Sequence, residues 1–405
     1  MASNASTGTA VSLRRSTVVA IAIVAAELAV VFLGAILPTP LYPLYREAFG
    51  FSGVMLTLIY AVYVLGNLMA LLFFGRLSDQ IGRRKVSVPA IGIAILSAIV
   101  FAAASGTSWL FAGRALSGFA TGLVSGTATA WIAELYAGST RGAAARIAAA
   151  ANFSGNAAGP LLSGLLAQFA PSPLRLPFYV YLALLVAVGA AILVPPETVT
   201  NPRHWGDAEL KPRLGVPPNI RLPFISPAVA GFCTFALIGF YSALIPSVLG
   251  DSLHLHAPIA AGAVVCALFG IAAITVLSTG RLGSQATMFG ALAVLLPSVW
   301  LLVGAEIYKS LPMLMAAAAV GGVAGGLGYR GSLEVINRIA PADRRSEIVS
   351  SYLIALFAGN SLPVIGIGVL SSITGALLAH VTFAAVITAL AGIAALTGLR
   401  YAPSN

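Results

Sequence analysis

Twelve apolar runs, each close to the roughly 20 residues that cross a hydrocarbon core as a helix, govern what this chain can fold into. They lie near 17–40, 52–75, 86–104, 108–132, 143–169 and 177–195, then near 227–249, 257–279, 286–304, 311–333, 346–370 and 374–399. In lipid each segment must satisfy its own backbone groups, so such runs predict an all-α membrane protein. Only 8% of the residues are charged, against about 25% in a soluble domain. Lipid is therefore the expected solvent for most of the surface. A stretch rich in proline (Pro196, Pro202, Pro212, Pro217, Pro218, Pro223) separates the two sets of six runs. It reads as a linker, so the expected domains are 1–195 and 226–405, joined by 196–225.

Arg14 and Arg15 precede the first run, as bases precede a signal peptide. That run continues through Glu27 into Pro38-Thr39-Pro40 without a small-residue cleavage site, and reads as a retained span. With the N-terminus inside, 18 of the 22 Lys and Arg residues fall on the inner side. Three, Arg46, Arg175 and Lys309, fall outside, and Arg114 lies within a span. This asymmetry predicts cytoplasmic termini and a cytoplasmic linker. The net charge of +10 is spread over short loops, which argues against a nucleic-acid partner. Cys233 and Cys266, both in apolar runs, offer neither a disulfide framework nor a metal spacing. His254, His256 and Asp251 read as a solvated loop and not as a metal site.

The two halves repeat each other. Gly75-Arg76-Leu77 with Gln80 returns as Gly280-Arg281-Leu282 with Gln285. Gly118 and Gly122 return as Gly322 and Gly326, Phe153-Ser154-Gly155-Asn156 as Phe357-Ala358-Gly359-Asn360, and Leu37-Pro38 as Ile245-Pro246. The offsets stay between 204 and 208, which predicts duplication of a six-helix unit. Between spans 2 and 3 the bend Gly75-Arg76-Leu77-Ser78-Asp79-Gln80-Ile81-Gly82-Arg83-Arg84-Lys85 packs one acid and four bases, with a glycine on each side of the acid.

That bend resembles motif A of the major facilitator superfamily. Gly155-Asn156-Ala157-Ala158-Gly159-Pro160-Leu161-Leu162-Ser163-Gly164 resembles motif C of its antiporters, with Ser163 replacing a glycine. Arg114 through Gly122 resembles motif B. The resemblance covers essentially the whole chain and implies twelve transmembrane helices in two pseudo-symmetric six-helix bundles around a cavity. It implies gating roles for Gly75, Asp79, Gly82, Arg83, Arg84, Glu134, Gly155, Gly159 and Pro160. Asp79 is expected to face the start of span 11 when the inner side closes, and Arg83 to pair with Glu134. In the second half Ser284 stands where Asp79 maps, so this charge switch belongs to the first half alone. Glu334 and Arg330 read as inner gating contacts.

Arg114 inside a lipid-length span should face a cavity or a partner. The family links this arginine to proton coupling. Glu27 is read as the one acid deep in a span, and Arg114 as its available cation. An acid that a proton or a cationic substrate can neutralise is what an antiporter needs. Tyr60, Tyr63 and Asn67 share a face of span 2, and Asn152 and Asn156 a face of span 5. With Asn360, Phe235 and Tyr241 they form the expected substrate-binding set, suited to an amphipathic ligand.

The function expected from these residues is proton-coupled efflux of drug-like or amphipathic small molecules. A sugar or metabolite exporter of the same superfamily is the alternative. A non-transporting sensor is a further one, which would be expected to carry an added soluble module. No nucleotide-binding loop, nucleophile–base pair or cofactor motif is present, so neither an enzyme nor a cofactor is expected. The expected partners are the substrate, protons and the lipid of a bacterial-type inner membrane, and the chain is read as a monomer.

Overall fold

The computed structural model describes residues 15–136, 141–212, 214–341 and 343–401. Arg14, Arg213 and the side chain of Arg141, all counted above, lie outside the described residues. Twelve helices of 16 or more residues follow one another among them. In chain order they are α1 (Arg15–Ile36), α2 (Gly53–Phe74), α3 (Arg83–Ala102), α4 (Thr107–Leu135), α5 (Arg141–Phe169) and α6 (Leu176–Ala191). The second six are α7 (Arg221–Ser247), α8 (Pro258–Ser278), α9 (Ser284–Ile307), α10 (Leu311–Ile339), α11 (Arg345–Thr374) and α12 (Ala376–Arg400). Nine meet the length and hydropathy of a membrane crossing. The exceptions are α6, which has 16 residues, and α4 and α5, whose Arg, Ser, Thr and Asn side chains lower their hydropathy.

Local signals set the helix ends. The Ser52 hydroxyl accepts the Met55 N–H at the start of α2, and Ser310 does the same for Met313 at the start of α10. Pro258 occupies the first turn of α8, where no N–H is needed. Two features differ from the sequence reading. A short helix, Tyr42–Phe49, fills the connection after α1. The ninth span runs to Ile307 and not to 304, which brings Glu306 into a helix and buries it. Glu27 is therefore not the only acid buried in a span.

Helix pairing repeats with a shift of six. α1 lies against α5 as α7 lies against α11, and α2 against α4 as α8 against α10. α3 meets α6 as α9 meets α12. The halves meet through α5 with α8 and through α2 with α11. The repeated glycines make the same contacts in both halves. A Cβ on Gly118 would strike the Tyr63 carbonyl, and one on Gly322 the Leu268 carbonyl. Gly155 faces the backbone of Ala29, and Gly359 that of Phe232. Close helix packing, not loop chemistry, explains why these glycines recur.

Candidate functional site

Between the bundles lies a cavity of about 420 Å3. Tyr60, Tyr63 and Asn67 reach it from α2, and Asn152, Phe153 and Asn156 from α5. α7 contributes Phe235, Ile238 and Ser242, and α11 contributes Phe357 and Asn360. The internal repeat thus places one Phe–Asn pair on each wall. Tyr60 donates to Asn360 Oδ1 across the halves at 3.1 Å. Asn156 donates to Asn152 Oδ1 at 3.0 Å, and Asn67 to the Tyr63 hydroxyl at 3.4 Å. The amide oxygens of Asn67 and Asn156 accept no hydrogen bond among the described residues. Aromatic rings cross the floor, with Phe153 and Phe235 at 5.8 and 6.0 Å from Tyr329. Tyr241 is not part of this wall. Its ring packs on Phe240, because the cavity face of α7 is the Phe235, Ile238, Ser242 stripe.

Arg114 is fully buried. Its Nε donates to the Tyr42 hydroxyl at 2.8 Å, and Nη1 donates to the Ala35 carbonyl. The guanidinium carbon lies 5.4, 5.9 and 5.6 Å from the ring centroids of Tyr42, Tyr60 and Tyr63. Cation–π attraction therefore steadies the two cavity tyrosines from behind. The expected Glu27 pair is not formed. Arg114 engages α1 eight residues beyond Glu27, about 12 Å along the helix. Glu27 turns to α3, where Ser87 is its polar neighbour. Neither carboxylate oxygen nor the Ser87 hydroxyl makes a hydrogen bond among the described residues. The cavity residues of α1 are Phe32 and Ile36, and Phe32 lies about 140° around the helix from Glu27. Glu27 is thus a dry, buried carboxyl behind the wall, and no carboxylate is found among the described residues that line the cavity.

The bend after α2 is a bonded network. Gly75 caps α2, the short helix Leu77–Ile81 follows, and Gly82 turns the chain into α3 at φ +114°. A side chain at Gly82 would be strained by that φ, and its Cβ would lie 2.9 Å from a Glu197 oxygen. Arg83 is the hub. It donates to Ser78 at 2.7 Å, pairs with Asp79, and holds both oxygens of Glu134. Arg84 donates to the Pro195 carbonyl at 2.6 Å. Glu197 accepts the backbone N–H groups of Arg83 and Arg84, each at 3.0 Å, and so caps α3 from the linker. Further on, Arg203 N–H reaches the Gln80 carbonyl at 2.7 Å and Glu209 N–H reaches Gln80 Oε1 at 2.9 Å.

Burial pushes the Glu197 carboxyl up, but N–H groups of Arg83, Val199, Arg84 and Thr198 outweigh it and hold it below the usual carboxylate range. A depressed folded value means that this stabilisation is present above the unfolded value of about 4.3 and lost as pH falls through the folded one. Glu197→Gln is expected to lower the thermal midpoint of the detergent-solubilised protein at neutral pH. The gap to wild type should close as the pH drops below about 4. A gap of equal size at both pH values would show that the charge is not used.

The two ends of the bundle differ. Away from the 75–85 bend the halves touch: Thr39 donates to the Ser242 carbonyl at 2.6 Å, and Arg46 stands 3.9 Å from Asp251. A Cβ on Gly368 of α11 would lie 2.7 Å from Thr57 of α2. At the bend end, cavities separate α2 and α4 from α11, and α4 and α5 from α10. Leu71, Gly126, Val349 and Leu353 border both the central cavity and the first of these, so the two adjoin on that side. The central cavity therefore opens towards the bend. For the same reason Asp79 does not meet α11 in this conformation, and its carboxylate takes Arg83 instead. Arg330 and Glu334 also stay within one half: they pair at 2.8 Å, and Arg330 donates to the Leu282 carbonyl at 3.0 Å. Gly155 and Gly159 abut the backbone of α1, while the Pro160 carbonyl meets Gly262 of α8.

Residues absent from the sequence reading also belong here. Phe269 and Tyr329 line the cavity, Tyr42 holds Arg114, and Glu197 and Thr198 complete the bend network. A single tyrosine or phenylalanine in an apolar run gives no sign of its face; for Tyr42 the available signal was a polar aromatic next to a span end.

Two six-helix bundles enclosing a cavity open at one end define a membrane transporter of the two-bundle class. A sequence model of the Major Facilitator Superfamily matches residues 24–362, and the chain belongs to that superfamily. It is 27% identical over 177 residues to Multidrug resistance protein 2 of Bacillus subtilis (strain 168), covering 43% of this chain and 44% of that one. It is 27% identical over 203 residues to Quinolone resistance protein NorA of Staphylococcus aureus (strain MRSA252), covering 49% and 50%. The chain thus spans about half the length of these curated relatives. Among solved structures it resembles the peptide transporter POT in complex with alafosfalin, with TM-score 0.75 and 14% identity over 94% of both chains. It also resembles a bacterial homolog of the human lysosomal transporter Spinster in an inward-facing, unoccupied conformation, with TM-score 0.68 and 16% identity over 96% and 100%.

Proposed function

We propose that this transporter exports amphipathic, aromatic small molecules in exchange for protons. The cavity carries the reading: aromatic walls contributed by both halves, with a few amide groups and two amide oxygens left free to accept a donor. Such a surface suits flat, partly apolar ligands. A sugar would call for more polar partners than it offers. The resistance proteins that match half of the chain support the same substrate class. Without a lining carboxylate, a cation would be met by the tyrosine faces and not by Glu27.

On the excess of bases we take the bend end, both termini and residues 196–225 to face the cytoplasm of a bacterial-type inner membrane. The conformation described is then open inward. We take 1–195 and 226–405 as the two halves that rock, with α5·α8 and α2·α11 as the sliding seams. Closure on the inner side brings the start of α11 to Asp79, where a carboxylate favours the positive end of a helix. Glu27 takes and gives up the proton behind the wall, and its charge state is felt through α1 and not by direct contact with the ligand. The transporter acts as a monomer.

The test is uptake of a fluorescent aromatic dye into everted vesicles with an acidic interior. Uptake should need the pH gradient. Asn156→Ala combined with Asn360→Ala should weaken apparent dye affinity by about tenfold, the scale of two lost hydrogen bonds. Uptake with unchanged affinity in that variant would remove the cavity from the substrate path.

A further inference from the structure

Glu306, in the last turn of α9, and His380, in the second turn of α12, form an acid–imidazole pair that the proposed cycle leaves unused. His380 Nδ1 and Glu306 Oε1 are 2.5 Å apart, with side chains 5% and 1% exposed. The second Glu306 oxygen accepts no hydrogen bond among the described residues. His380 also forms part of the wall of a second cavity, of about 380 Å3, at the end away from the bend. Arg46 and Ser52 of the first half face Leu244, Asp251 and Ser372 of the second across it. The cavity lies where the halves must part for that end to open.

We propose that the pair is a proton-binding site of the second half, and that its occupancy decides whether the outer gate closes. This extends the proposed proton coupling and rests on the same orientation. With one proton between them the two side chains are neutral overall. Losing it leaves a carboxylate beside a neutral imidazole in a dry site, and an unbalanced buried charge is costly. Water relieves that cost, and the water nearest to the pair is in the cavity beside His380. Deprotonation therefore favours the open outer gate, and proton uptake from outside favours closure.

Among the described residues no fixed countercharge bonds to the pair. Asp251 of the turn after α7 faces Arg46, and Lys309 after α9 is bonded to His254 at 3.3 Å. His256 lies beside Gly250, and the Tyr241 phenol of α7 is buried beside Phe240. Tyr308 is exposed. The charged residues of α10 and α11 (Arg330, Glu334, Arg338, Arg345 and Glu347) lie at the bend end. None of these groups bonds to Glu306 or His380 among the described residues.

The test reads gate opening without transport, so this proposal and the coupling through Glu27 can fail separately. Spin labels at Glu47→Cys and Ser372→Cys, with Cys233 and Cys266 replaced by alanine, report the distance across the outer gate in lipid nanodiscs. The open-to-closed ratio of the otherwise wild-type protein should rise with pH, by up to tenfold per unit for one proton. Glu306→Gln cannot acquire the charge and should stay closed throughout. A wild-type response in Glu306→Gln, or no response in the wild type, overturns the proposal. If Glu306→Gln does not fold, His380→Asn carries the test, since asparagine keeps an N–H donor but takes no proton. Its midpoint should move by about one pH unit or more, and an unmoved midpoint overturns the proposal.

Discussion

Glu27→Gln is expected to leave the protein folded and to reduce pH-driven transport to that of vesicles without protein. Glutamine has the size and neutrality of the protonated acid and cannot release a proton. Among the described residues no cation stands beside Glu27: its neighbour is the Ser87 hydroxyl, and Arg114 is committed to Tyr42 and Ala35. A carboxylate there lacks the partners that an ion needs, so the amide should be tolerated. Since Glu27 lies behind the wall, dye binding should survive, and downhill exchange of dye with it. Transport assayed with and without a pH gradient separates the two. Full pH-driven transport in the variant would move the proton to another group.

Gly159→Leu is expected to cause the largest structural loss. A Cβ at Gly159 already meets the Leu33 carbonyl, and Gly155 one turn away abuts Ala29 in the same manner. Small-to-large changes in a packed core cost about 1–3 kcal/mol, and here the obstacle is backbone, which cannot rotate away. The helix must separate from α1, which carries both Phe32 of the cavity and Glu27. The variant should be less stable in detergent and, where it inserts, should pass dye without driving protons. Thermal unfolding together with a leak assay checks both. Wild-type stability and coupling would show that the α1·α5 seam tolerates separation.

The elements most legible in the sequence were those fixed by backbone proximity or by charge in a short bend. Gly118, Gly155 and their repeats announced helix contacts, because nothing larger fits where backbones touch. Arg83 and Glu134 were readable as partners, since a base at one span end and an acid at another meet the same surface. The asparagines and tyrosines of α2 and α5 showed their face through i, i+3 and i, i+4 spacing. Helix rotation was not readable. Glu27 and Phe32 share a span, yet they point to different neighbours, and Tyr241 lies one residue from the true cavity face. Glu306 was hidden by a boundary: ending the ninth span at 304 put it in a loop, and only the three further residues of α9 bury it against His380. A histidine inside an apolar run was the signal available for that pair.

Exchange of substrate against protons is read without an imposed gradient from substrate-driven proton movement. Proteoliposomes are loaded with a pH-sensitive dye and no pH gradient is imposed, and the transported aromatic compound is added on one side. Protons should move against the substrate, towards the side from which it came, and Glu27→Gln should abolish this signal. Protons moving with the substrate, or substrate crossing with no proton signal in the wild type, would contradict it.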